Sequence, residues 1–186
     1  VQRITVAAGA PLEQVYCGVG DVLTESGRPT RHVYFPITCT AALIYTPADG
    51  ATSGMAVIGD DALVGVSVIL GGGALPGRAE VLIGGNALKM GADGARDHFR
   101  RGGSFQRVLL RYTQALLAHI SQTGVCQGLH SVEQRLARCL LLTLDRSPRS
   151  ADLPLTQDTL AVLLGVRRES VSHAAPGQGD IEVIAC

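Results

Sequence analysis

Two textures of hydrophobic and polar positions divide the chain. From about residue 15 to residue 90, short β-rich apolar runs recur: Val33-Tyr34-Phe35, Ala42-Leu43-Ile44-Tyr45, Met55-Ala56-Val57-Ile58 and Glu80-Val81-Leu82-Ile83. Between them stand Gly20-Asp21, Ser26-Gly27, Asp49-Gly50, Gly59-Asp60 and the run Gly71-Gly72-Gly73. Short strands at close spacing, parted by residues that accept tight turns, predict an all-β barrel or jelly roll. A small β-sandwich fits the same pattern.

After Gly102-Gly103-Ser104 the period changes. Residues 105–123 contain no Pro or Gly, and Leu109, Tyr112, Leu116, Ile120 and Thr123 fall on one helical stripe. Ser104 is the expected N-cap and Gly124 the expected end or kink. A second apolar set, Val108, Leu110, Ala115 and Leu117, lies off that stripe. Such a helix carries more apolar surface than one core face needs. It is either buried on all sides or packed both on its own domain and on a partner. A further helix is predicted over residues 130–144, with Val132, Leu136, Cys139 and Leu140 at helical spacing, followed by a polar, Pro-containing connector over 145–154.

The stretch LTQDTLAVLLGVRRESV, residues 155–171, carries the most information. Thr156 can cap a short helix whose apolar face is Leu160, Ala161 and Leu164. Gly165 stands where a tight turn needs positive φ, Val166 is an apolar plug, and Arg167-Arg168-Glu169-Ser170 opens the next helix. These are the parts of a helix-turn-helix, in which the second helix offers its N-terminal side chains to base edges in the major groove. Arg suits a bidentate contact with guanine, Glu can accept from cytosine N4, and Thr156 and Gln157 would lie near phosphates. A helical hairpin with solvated charges is the blander reading of the same residues.

Composition narrows the classes. Of 186 residues, 46% are apolar and 17% charged, which indicates a folded chain with a substantial core. No apolar run approaches the roughly 20 residues that span a bilayer. Residues 1–10 lack the basic start and apolar run of a signal peptide, so a cytoplasmic protein without a membrane partner is expected. Cys17, Cys39, Cys126, Cys139 and Cys186 are scattered and odd in number, and read as reduced, mostly buried thiols. The five histidines form no ligand spacing with them, so no metal site is expected. No nucleophile–base pair or phosphate-loop motif suggests an enzyme. Residues 1–99 carry six Lys/Arg against nine Asp/Glu, and residues 100–186 ten against seven. The excess of cations in the second half suits an approach to phosphates.

In sequence order, these pieces resemble the Crp/Fnr family of transcription regulators. GVGDVLTESGRPTRHVYFPITCTAALIY is similar to the opening of the family's cyclic-nucleotide-binding-type β-roll, DGATSGMAVIGDDALVGVSVILGG to its middle and GRAEVLIGGNALKM to its closing strands. LLRYTQALLAHISQTGVCQGLHSVEQRLARCLLLTLDR resembles the long dimer helix and its successor, and residues 155–171 the helix-turn-helix. The resemblance implies an α+β chain: a β-roll (jelly-roll) sensor over 1–103, a dimerisation helix over 104–128 and a winged helix-turn-helix over 129–186. It implies a homodimer that binds an inverted repeat in double-stranded DNA, works with RNA polymerase and is switched by a small effector. A signalling β-roll protein with a degenerate DNA-binding unit is the alternative.

Carried onto this chain, the DNA-binding positions are Thr156, Gln157, Arg167, Arg168, Glu169, Ser170 and His173, the last standing where the family commonly has arginine. The dimer interface falls on Leu109, Tyr112, Leu116, Ile120 and Thr123. The effector positions are Val64, Gly65, Arg78 and Ala79. Members that bind cyclic AMP use a Gly-Glu pair for the ribose and an Arg-Ser/Thr pair for the phosphate. Here Arg78-Ala79 keeps only the arginine, and Ala62-Leu63 or Val64-Gly65 replaces Gly-Glu. Losing the carboxylate removes a charge-assisted hydrogen bond of on the order of 1.5–3 kcal/mol, which argues against cyclic AMP and leaves the effector unnamed. Arg78 can instead pair with Glu80. The N-terminal cysteine cluster of the oxygen-sensing members is absent too. The recognition helix meets Pro176-Gly177 early, so the wing, with GQGDIEVIAC as one strand, is expected to be incomplete.

Overall fold

A computed structural model describes residues 12–48, 50–71, 74–147 and 153–175. Among these, seven strands, with a 3-10 turn at Val66–Val68 between the fifth and sixth, precede five α-helices. The strands are β1 Glu13–Cys17, β2 Val22–Thr24, β3 His32–Pro36, β4 Thr40–Tyr45, β5 Ser53–Ile58, β6 Gly77–Ile83 and β7 Gly85–Gly91. The helices are α1 Ala92–Arg100, α2 Gly103–Leu129, α3 Val132–Asp145, α4 Gln157–Leu164 and α5 Arg168–Ala174. The expected wing strand and residues 176–186 lie outside the described residues. No described helix is long and apolar enough to cross a membrane.

The strands pair antiparallel in two sheets, ordered β1-β7-β3 and β2-β6-β4-β5, as the turn-punctuated pattern predicts. β3 alternates, sending Val33 and Phe35 inward and leaving His32 and Tyr34 half-buried. β4 is covered on both faces, so Thr40, Ala41, Ala42 and Ile44 are all buried and the strand reads as a continuous apolar run. One core cluster joins Val33, Phe35, Leu63 and Met90 to Leu109 of α2. A second holds Ala41, Ile58, Ala62, Val64 and Ala79, whose small side chains let the layers close.

The long helix differs from expectation at both ends. Gly102, at φ 75°, precedes it rather than Ser104, and it runs through Gly124 to Leu129 without stopping. Each interior glycine costs about 1 kcal/mol relative to alanine, an amount the packing of a 27-residue helix outweighs. α3 starts two residues later than expected, because Ser131 and Gln134 form a reciprocal capping box.

The C-terminal helices rest on the β-domain through β5. A Cβ added at Gly54 would lie 2.8 Å from the Leu163 carbonyl oxygen, so the strand and α4 touch backbone to backbone. Leu163 packs with Ala42, Ile44 and Leu82. Gln127 of α2 donates from Nε2 to Ser53 Oγ (2.8 Å) and to the Gly54 carbonyl (3.0 Å), which ties the same strand to the long helix.

Candidate nucleic-acid interface and effector cavity

The α4–turn–α5 unit assembles as its residues dictate. Thr156 Oγ1 accepts from the Thr159 amide at 3.1 Å and caps α4. Gly165 takes φ 63°, ψ 40°, which ends the helix. The amides of Gly165 and Val166 then return to the carbonyls of Val162 and Ala161, at 3.3 and 3.1 Å. Leu136, Leu160, Ala161, Leu164, Val171 and Ala174 form the unit's own core, with Val166 packed against it. Arg135 of α3 donates from Nη2 to the Leu164 carbonyl and clamps the end of α4.

With Val171 and Ala174 buried, α5 turns Arg168, Glu169, Ser172 and His173 to solvent. Arg168 is oriented from its neighbour helix: Nε donates to Gln157 Oε1 at 3.4 Å and stands 3.7 Å from Asp158 Oδ1. Ser172 Oγ donates to the same Gln157 oxygen at 3.1 Å. Gln157, expected near phosphate, therefore positions the second helix. Arg167 is exposed at the N-cap of α5, and Ser170 is half-buried. Ser172 was missed by motif reasoning, although it follows Arg168 by four residues and so shares its face.

The effector positions fall out differently. A cavity of about 310 Å³ lies between the β-domain and α2, lined by Leu43, Met55, Ile58, Leu63, Leu116 and Ile120 among others. Of the four expected residues only Gly65 reaches it. Val64 is fully buried and bridges Tyr34, and Ala79 is fully buried in the core. Arg78 binds Glu80 at 2.9 Å and Thr46 Oγ1 at 3.3 Å. Positions two apart on a strand share a face, so Glu80 is the anion nearest the guanidinium, and neither residue lines the cavity. The cavity's polar edge is Thr24, Glu25, Thr30, Ser67 and Thr113.

The stripe expected to face a partner instead faces the chain's own sheets. Leu109 is 1% exposed against Val33, Phe35 and Met90. Tyr112 donates its hydroxyl to the Leu63 carbonyl at 2.7 Å, and burial pushes its pKa upward. Leu116 packs on the same core and Ile120 lines the cavity. Thr123 Oγ1 donates to the His119 carbonyl at 2.9 Å and accepts from Arg138. The reason is proximity: the nearest apolar surface to a helix that leaves a sheet is that sheet. The second apolar set divides: Val108 and Ala115 line a cavity against the β-domain, while Leu110 is 48% exposed and Leu117, at the mouth of the apolar cavity, 62%, with Val125 and Leu129 exposed beyond.

Residues 134–175 match the Crp-like helix-turn-helix domain. No curated protein sequence matches the chain. Among solved structures, FixK2 from Bradyrhizobium japonicum superposes with a TM-score of 0.72 at 21% identity, covering 88% of this chain and 82% of that one. The c-di-GMP-responsive global regulator CLP from Xanthomonas campestris gives 0.70 at 14% identity, over 88% and 84% of the two chains. A CRP-family transcriptional regulator from Thermus thermophilus gives 0.69 at 17% identity, over 86% and 81%. At such identities the likeness speaks for the fold, while the match over α3–α5 speaks for the motif. The chain thus has the fold of the Crp/Fnr-type transcriptional regulators and carries a Crp-like helix-turn-helix domain.

Proposed function

We propose that the protein is a homodimeric, sequence-specific DNA-binding transcription regulator switched by a small effector held between the β-domain and α2. The observation that supports it most is the exposed face of α5, where Arg168 is oriented by Gln157 beside Glu169, Ser172 and His173. An arginine held in place on the first turn of a second helix suits base reading in the major groove. Arg167, at the helix start, holds phosphate. The exposed Leu110 and Leu117, seven residues apart on α2, supply the seam for a second copy. RNA polymerase is the downstream partner. The effector has a mainly apolar body, because the cavity beneath α2 is walled by apolar side chains and Arg78 is taken by Glu80.

Selection from random duplexes, followed by fluorescence anisotropy at fixed salt, tests this reading. The expected product is an inverted repeat with half-site centres roughly 34–36 Å apart. Equal affinity for selected and random duplexes would overturn it and leave a sensor whose helix-turn-helix no longer reads DNA.

A further inference from the structure

A second cavity, of about 260 Å³, lies along the other edge of α2. Arg111, Ala115 and His119 line it, whereas Thr113, Leu117 and Ile120 line the apolar one, and these two sets occupy opposite flanks of a helix with 3.6 residues per turn. Its polar lining is Asp61 from the β-domain, Arg111, Tyr112 and His119 from α2, and Arg146 from the end of α3. Three parts of the fold therefore meet around one space. Arg146 is fixed there by its own backbone, whose carbonyl accepts from Thr40 Oγ1 at 3.1 Å.

The groups around this space are not spent on one another. The Tyr112 hydroxyl donates its hydrogen bond to the Leu63 carbonyl. His119 stays neutral, its pKa lowered to about 4 by burial and by the charges of Arg146 and Arg138. Among the described residues no carboxylate forms a salt bridge with Arg111 or Arg146. Asp61 Oδ1 is buried and accepts no hydrogen bond. Asp61 thus stands at the cavity wall with no described residue donating to its carboxylate, and an unspent carboxylate beside a cavity suits a donor from a ligand.

We propose that this cavity binds a small organic oxyanion that carries a hydrogen-bond donor of its own, with Arg146 and Arg111 taking the charge and Asp61 accepting the donor. The arginines alone would accept any oxyanion. Asp61 repels those that offer it only lone pairs, so it sets the selectivity. The volume exceeds a bare ion and leaves room for a small carbon body against the apolar wall. An occupant would touch the β-domain, the long helix and the arm leading to α4 at once.

Calorimetry on the full chain with inorganic phosphate and with sulfate tests the proposal. Phosphate carries a P–OH at neutral pH and sulfate carries none, so phosphate should bind at least about tenfold more tightly. Glycolate against acetate repeats the comparison for carboxylates, and the tighter donor-bearing anion identifies the headgroup. Arg146→Gln should weaken phosphate binding at least about tenfold. Asp61→Asn, whose amide can donate, should bring sulfate up toward phosphate, a change that loss of packing would not produce. If Arg146→Gln unfolds, the exposed Arg111→Gln takes its place. Equal affinity for phosphate and sulfate, no binding of any of the four anions, undiminished binding in the arginine variant, or an unchanged selectivity in Asp61→Asn each overturns the assignment.

Discussion

Gly54 offers a direct test of how the helix-turn-helix is held. An alanine there places a methyl group 2.8 Å from the Leu163 carbonyl oxygen and 2.9 Å from its Cα, both backbone atoms that no rotamer change can move. Strand backbone at this position suits any residue, so the whole effect must come from that contact. Overpacking of this kind costs about 1–3 kcal/mol. For a chain of this size each kcal/mol lowers the melting point by roughly 2–4 °C. Gly50→Ala is the control: its φ of 82° strains an alanine by about 1–2 kcal/mol, yet a Cβ there meets nothing within 4 Å. Both variants should therefore melt earlier. Only Gly54→Ala should loosen the docking of α4, seen as faster hydrogen exchange at the Gly165 and Val166 amides. A Gly54→Ala protein with the parent's melting point and parent exchange at those two amides would refute the backbone contact.

Four further outcomes are expected. Leu117→Glu should give monomers in sedimentation, whereas Leu109→Ala should cost about 2–5 kcal/mol of stability through a core cavity and leave association unchanged; a dimeric Leu117→Glu protein would move the seam elsewhere. Arg168→Ala should lose about 1–3 kcal/mol of DNA affinity and relax preference at one base pair per half-site, while Arg167→Ala should weaken all duplexes alike and flatten the salt dependence. Gln157→Ala should reproduce part of the Arg168→Ala loss of base preference, because it removes that guanidinium's support. His119 binds its proton more weakly folded than unfolded, so the unfolded state protonates first; its stabilising effect is complete above the ordinary value of 6.5 and is lost as pH falls toward about 4. Denaturant midpoints at pH 7 and pH 5 should then converge in His119→Gln, and an undiminished difference would remove His119 as its source.

Local chemistry explains what could be read from the chain unaided. Thr156, Gly165 and Val166 each act on neighbours within five residues, so the helix-turn-helix was legible from spacing. The same holds for the turns that cut the β-domain into strands. Helix α1 was passed over although Ala92, Ala95 and Phe99 keep helical spacing, because charges and Gly94 dilute so short a signal. Both apolar faces of α2 were visible too. Which of them meets the chain's own sheet depends on where β7 and α1 deliver the helix, a long-range fact that periodicity does not hold. The cavities are harder still: their walls come from three or more separate parts of the fold, and no two of their polar residues share a motif. Arg78 illustrates the remaining limit, since family resemblance pointed to a ligand while its neighbour Glu80 was the nearer anion.

β5 is a plate only one residue thick between two rooms. Gly54 abuts the backbone of α4, and the next residue, Met55, lines the apolar cavity. A guest that displaced Met55 would push on a strand whose preceding residue already touches the Leu163 backbone, and a close-packed contact transmits strain rather than compressing. Gln127 clamps that same plate to the long helix, so the strand cannot shift without its fastening. On the effector reading proposed above, the partition itself would be the part that moves, with no chain of intermediaries between the two rooms.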